Sequence, residues 1–222
     1  FKINLKKIGS SALWLAIALG LLIGILFILH PPINIPPSFE SYDSVARHLV
    51  RGEGFSFTSE GRTLPYLFRT PGYPLFLATI YSVFGFDPIV VYCFQVGLHL
   101  LTILLLYSLT RNFFDEHVAG LTAILTALFP LTTIYISTVL PEVFSTFLLA
   151  LSLWVFVRAL RRNSLWLMFF AGIVISYSTL VRPAFALFSL FLFATVWVMK
   201  GNRKTFLLPF LSLHVGFLLV WL

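Results

Sequence analysis

The stretch SSALWLAIALGLLIGILFIL, Ser10 to Leu29, carries no charge and decides the class of the fold. As a helix it would be about 30 Å long, the thickness of a bilayer's hydrocarbon core. Lys2, Lys6 and Lys7 precede it, and His30-Pro31-Pro32 closes it. A secretory signal peptide has the same charge order but a shorter apolar stretch and a small-residue cleavage site. No such site precedes His30, so the segment reads as an uncleaved first transmembrane helix.

Outward from that run the pattern repeats. Further apolar runs occupy Ile89–Thr110, Val118–Ser137, Val143–Leu160, Ser164–Leu180, Pro183–Met199 and Thr205–Leu222. The stretch Ser164–Met199 is nearly continuous, but one helix of that length would far overrun the bilayer. Arg182-Pro183 falls at its middle, a charge beside a helix breaker, and marks a turn at the membrane surface. Pro130 predicts a kink inside the third run. The expectation is an all-α integral membrane protein with about seven transmembrane helices. Two further helices would lie on the surface in the first extracytoplasmic loop, residues 30–88.

Composition agrees. Of 222 residues, 59% are hydrophobic and 10% charged, with a mean hydropathy of +0.97. A soluble domain of this size cannot bury so much apolar surface. The net charge of +7 does not point to nucleic acid, because the basic residues sit between apolar runs rather than on one polar face. They orient the chain instead. With the N-terminus in the cytoplasm, ten basic and two acidic residues fall inside, against five basic and six acidic outside. Cys93 is the single cysteine, which excludes an internal disulfide and a cysteine metal site. The chain starts without Met and stops inside an apolar run, as a piece of a longer protein would.

That topology brings three polar features to the extracytoplasmic side: the long first loop, Pro141-Glu142 before the fourth span, and Arg182-Pro183. Within the loop, Phe39, Tyr42, Val45, Ala46, Leu49 and Val50 form a helical stripe, with Glu40, Asp43, Ser44, Arg47 and Arg51 opposite. Such a helix is expected to lie flat with its apolar side on the membrane, N-capped by Ser38. Pro74–Phe84 is a second helix, too short to span. Gly52, Gly54 and Gly61 mark turns.

Two segments carry a family signal: Tyr42-Asp43, Ala46, Leu49 and Gly52-Glu53-Gly54-Phe55-Ser56-Phe57, then Arg69-Thr70-Pro71-Gly72-Tyr73-Pro74-Leu75-Phe76-Leu77-Ala78. With weaker matches at Leu140-Pro141-Glu142 and Leu180-Val181-Arg182-Pro183, the chain resembles polytopic C-type glycosyltransferases. The nearest branch is the bacterial one similar to dolichyl-phosphate-mannose protein mannosyltransferases and lipid A aminoarabinose transferase. The resemblance implies one membrane-embedded glycosyltransferase domain over 1–222. It also implies inverting transfer of a sugar from a polyprenyl-phosphate donor to an extracytoplasmic acceptor (glycolipid, polysaccharide or protein) in a bacterial inner membrane. Membrane lipid is a partner and nucleic acid is not; a divalent metal is left open, with no ligand cluster that demands one.

Inverting transfer needs a carboxylate to take the acceptor proton and cations to receive the departing phosphate. The candidates for catalysis are Glu40, Asp43 and Glu142; those for the donor phosphate are Arg69, Arg182, Tyr42 and Tyr73. Family members carry an Asp four residues before the tyrosine matching Tyr42, where this chain has Ser38. Either Glu40 or Asp43 serves as base instead, or the protein is impaired. Each residue has a plainer reading. Asp43 and Arg47 are spaced for a solvated salt bridge, Glu142 suits a helix N-terminus, and Arg182 can anchor a helix end. Gln95 and His99, four apart in the second span, read as an interhelical polar contact. A flippase or transporter and a non-catalytic scaffold are the competing functions. Charges gathered at one face, without an internal repeat, favour the enzyme.

Overall fold

The computed structural model describes residues 5–36, 42–59, 62–188, 190–192, 194 and 203–220. It divides into two compact units, Phe1–Phe147 and Leu148–Leu222, each described by itself.

The first unit is built on α1 (Leu5–Leu29) packed against α4 (Pro88–Thr110) and α5 (Glu116–Leu128). Small residues at four-residue spacing make the contact: Ala16, Gly20 and Gly24 on α1, Ala119, Ala123 and Ala127 on α5. Between apolar helices in lipid no hydrophobic force drives association, so close backbone approach and packing must supply it. A Cβ at Gly24 would lie 2.7 Å from Val96, and one at Gly20 2.8 Å from Ile103. The outer faces, with Trp14, Leu22 and Leu29, remain exposed as lipid-facing surfaces do.

α5 ends at Phe129, whose backbone is extended because Pro130 follows it. The chain resumes as α6 (Pro130–Thr133) and a 3-10 turn, Ile134–Ser137, at 47° to α5. The kink expected at Pro130 is present.

Between α1 and α4 lies the loop. α2 (Tyr42–Val50) is followed by a two-stranded antiparallel hairpin, β1 (Ser56–Ser59) and β2 (Arg62–Pro65), and by α3 (Gly72–Phe84). Both helices are too short to span. Gly52 and Gly54 turn the chain in the left-handed region, at φ 77° and 74°, which glycine adopts without steric cost. His48 ties α2 to the hairpin: Glu53 Oε2 at 2.6 Å and Ser56 Oγ at 3.2 Å meet its Nδ1, and Thr58 Oγ1 lies 3.0 Å from Nε2. The hairpin was not expected from the sequence. The apolar stripe of α2 also differs from expectation. Tyr42, Val45 and Ala46 are buried against α3 rather than laid on a membrane. Phe39 and Gly61 lie outside the described residues.

α7 (Glu142–Arg162) starts in the first unit and continues into the second. There α8 (Leu165–Val181) packs against α9 (Arg203–Leu219) around Ala171, Ile175 and Leu213. Their backbones touch at Gly172 and Gly216, where a Cβ would meet the carbonyls of Leu213 and Phe169.

Among the described residues three helices are long and apolar enough to cross a bilayer: Ser11–Leu29, Pro88–Thr110 and Glu142–Arg162. The bent pair Glu116–Leu128 and Pro130–Ser137 makes a fourth if it counts as one span. The fold is therefore a helical membrane bundle with three or four spans of full length, against an expected seven. Leu165–Val181, with 17 residues, and Leu208–Leu219 are shorter apolar helices. The expected span Pro183–Met199 falls partly outside the described residues.

Candidate functional site

The site is assembled in the first unit where α2, α3 and the start of α7 meet. α3 presents Tyr73, Leu77 and Tyr81 at four-residue spacing, all buried, so one face of the helix carries two tyrosines into the protein.

At one end of that face, Tyr81 Oη donates to Asp43 Oδ1 at 2.5 Å. Arg47 Nε donates to Asp43 Oδ2 at 2.7 Å, so both carboxylate oxygens are engaged. Arg47 also reaches the Phe86 carbonyl at 3.3 Å, and its guanidinium lies over the rings of Phe86 and Tyr81. The hydrogen bond from Arg47 to Asp43 raises the arginine further above its ordinary value. Burial, with the bond to Asp43, pushes the Tyr81 hydroxyl far up. The spacing of Asp43 and Arg47 suggested a solvated pair; the pair forms, but Asp43 is only 7% exposed.

At the other end sits Tyr73, fully buried, with no hydrogen-bond partner for its hydroxyl among the described residues. Burial first, then the neighbouring Tyr81 and Glu142, hold that hydroxyl well above the ordinary tyrosine range. Phe76 stacks on Phe144 at 4.0 Å and fixes α3 against the first turn of α7. Glu142 opens that turn half-buried. Its backbone carbonyl accepts from the Ser145 and Thr146 hydroxyls. Tyr42 packs edge-on against Tyr73 at 5.3 Å, and the exposed Arg69 guanidinium lies 5.9 Å from the Tyr42 ring centre.

Of the residues singled out from the sequence, Arg69, Tyr42 and Tyr73 therefore form a connected series that reaches the first turn of α7 through Phe144, two residues after Glu142, with Asp43 beside Tyr42 on α2. Arg182 belongs to the second unit. It caps the C-terminus of α8, its backbone N–H donating to the Ser178 carbonyl at 2.8 Å. Glu40 and Ser38 lie outside the described residues. Among the described residues no group of three His, Cys, Asp or Glu side chains is placed to hold a metal. Tyr81 and His48 were missed at the level of sequence. The spacing Tyr73, Leu77, Tyr81 was the available signal for the first.

Glu142 beside a buried, unpartnered hydroxyl, with an arginine two aromatic contacts away, has the group types that hydroxyl activation and phosphate binding require. No individual curated protein and no solved structure matches the chain. The profile of the dolichyl-phosphate-mannose-protein mannosyltransferase family matches residues 68–222, which includes the Arg69–Ala78 segment and Glu142. That family indicates glycosyl transfer from polyprenyl-phosphate-linked sugar donors in general. The match covers more than half of the chain, which therefore belongs to the dolichyl-phosphate-mannose-protein mannosyltransferase family.

Proposed function

We propose that this protein is an inverting glycosyltransferase in which Glu142 takes the acceptor proton. The acceptor oxygen forms a bond to the anomeric carbon as the bond from that carbon to the lipid phosphate breaks. The proton passes to the Glu142 carboxylate, and the electron pair leaves on the phosphate. The observation that carries the assignment is the contrast between Asp43 and Glu142, the two candidate carboxylates among the described residues. Asp43 has both oxygens held by Tyr81 and Arg47 and is committed to the fold, whereas Glu142 opens α7 half-buried, two residues before the Phe144 that stacks on α3. Asp43 then serves to fix α2 on α3. Glu40 is the second candidate for the base, in place of the acid that Ser38 replaces.

Arg69 would bind the donor phosphate, for which the planar arginine fork is suited; Arg182, in the second unit, is a separate candidate for that role. Tyr42 and Tyr73 would line its approach. In this reading the shorter apolar helices and the run to Met199 complete about seven spans. The loop then faces away from the cytoplasm, and the membrane is a bacterial plasma membrane. The acceptor is a glycolipid, a polysaccharide or a protein.

The test is transfer by the protein in nanodiscs from a panel of labelled polyprenyl-phosphate sugars to a membrane acceptor fraction. The expected result is a product of inverted anomeric configuration, with the use of donor by Arg69→Ala weakened about tenfold. Failure to consume any donor of the panel would sink the proposal.

A further inference from the structure

The break in the third span exposes a problem that α4 solves. Phe129 is extended before Pro130, so the helical ladder stops inside an apolar segment and leaves carbonyls without their usual N–H partners. In a bilayer such groups cannot turn to water, and each unsatisfied one is costly. Two buried side chains of α4, four residues apart and so on one face, meet such carbonyls, His99 in the last turn of α5 and Gln95 at the end of the 3-10 turn beyond the break. Gln95, fully buried, donates from Nε2 to the Thr138 carbonyl at 2.5 Å and reaches the Ile136 carbonyl at 3.4 Å. His99, 2% exposed, has the Ala127 carbonyl as its hydrogen-bond partner. Its Nε2 has none among the described residues, which leaves Nδ1 as the donor.

The two contacts bracket the break, His99 on the α5 side and Gln95 on the far side. Beyond Thr138 the chain is Val139, Leu140 and Pro141, all buried, and then Glu142. We propose that Gln95 and His99 are positioning residues for the reaction, splinting the broken span so that the segment leading to Glu142 is held in one place. This rests on the reading of Glu142 as the base. It assigns a functional purpose to two intramembrane polar residues that touch neither donor nor acceptor. A shift of about 1 Å in a reacting group costs on the order of 100-fold in rate, so a slack break would be felt at Glu142 even in a folded protein.

The experiment compares Gln95→Met, His99→Leu and His99→Asn with wild type in nanodiscs, by amide hydrogen exchange and by transfer kinetics. Met keeps the bulk of Gln without a donor. Asn places an N–H near His Nδ1, whereas Leu does not. Exchange over residues 131–140 should rise about tenfold or more in Gln95→Met and His99→Leu, as expected when one buried carbonyl loses its partner. It should stay within about threefold in His99→Asn. In the same two variants kcat should fall about tenfold or more with the donor KM unchanged, and His99→Asn should recover most of it. Unchanged exchange in both donorless variants overturns the splint. Raised exchange with unchanged kcat overturns the positioning role. Should Gln95→Met fail to fold, the His99 pair decides alone. Exchange reads the break without any substrate, so a wild type that transfers nothing would defeat the assignment of Glu142 while leaving the splint testable.

Discussion

Asp43 and Glu142 are both carboxylates at the start of helices, and the protein treats them in opposite ways. Asp43 sits in the first turn of α2 with each oxygen taken, one by a tyrosine hydroxyl and one by an arginine. Glu142 opens α7 next to Tyr73, whose hydroxyl is buried without a hydrogen-bond partner among the described residues. A buried polar group that is fully satisfied rigidifies its surroundings, while one without a partner calls for an explanation, which the proposed site supplies for Tyr73. Under the proposed assignment the first unit separates holding from reacting: Asp43 holds α2 on α3, and α7 carries Glu142.

The comparison breaks most visibly on stability at Asp43. Asp43→Ala strands Tyr81 and Arg47 together and should cost about 2–3 kcal/mol, moderated by the partial exposure of Arg47. Thermal unfolding in detergent reads this directly. An unchanged midpoint would return Asp43 to the solvated surface that its spacing suggested.

Tyr81→Phe removes one of the two bonds to Asp43 and should cost about 1–2 kcal/mol. It should also alter the response to alkali. The folded-state value of Tyr81 lies above its ordinary 10.0, so the stability it brings is complete below pH 10. That stability drains away as the pH rises from there toward the folded-state value. Tyr81→Phe should lose that part of the alkaline destabilisation. Unfolding midpoints of wild type and variant that fall in parallel above pH 10 would contradict the assignment.

Tyr73→Phe is the smallest expected effect on stability, within about 0.5 kcal/mol, because the hydroxyl that it deletes makes no hydrogen bond in the described structure. A loss as large as that of Tyr81→Phe would mean that Tyr73 holds the fold and that the contrast between the two ends of α3 is false.

How much of this was legible in the sequence follows from the range of each interaction. The spans α1, α4 and α7 are written in long apolar runs. The kink before Pro130 follows from a rule that acts on one neighbour. The stripe of α2 foretold the burial of Tyr42, Val45 and Ala46 but not that of Asp43, which it placed on the opposite face, and it did not say that α3 covers them. The hairpin escaped because four-residue strands bounded by glycine and charge resemble a loop. The partnership of Asp43 with Tyr81 spans 38 residues, and nothing local in either segment encodes it. Topology led to the expectation that the first loop, Glu142 and Arg182 share one side; Arg182 belongs to the second unit, and what the first unit brings together is Arg69, Tyr42 and Tyr73. The geometry of that series, through two aromatic contacts and one buried hydroxyl, needed the packing of α3 against α7.

The central claim is that Glu142, and not Asp43, takes the acceptor proton. Single-turnover transfer rates of Glu142→Gln and Asp43→Asn, measured side by side at equal folded fraction with saturating donor, test it most directly. The account predicts that Glu142→Gln is slower than wild type by about 100-fold or more, the usual contribution of a general base. Asp43→Asn, which keeps the shape and one acceptor oxygen, should stay within about tenfold of wild type. A Glu142→Gln rate close to wild type beside a collapsed Asp43→Asn rate would contradict it.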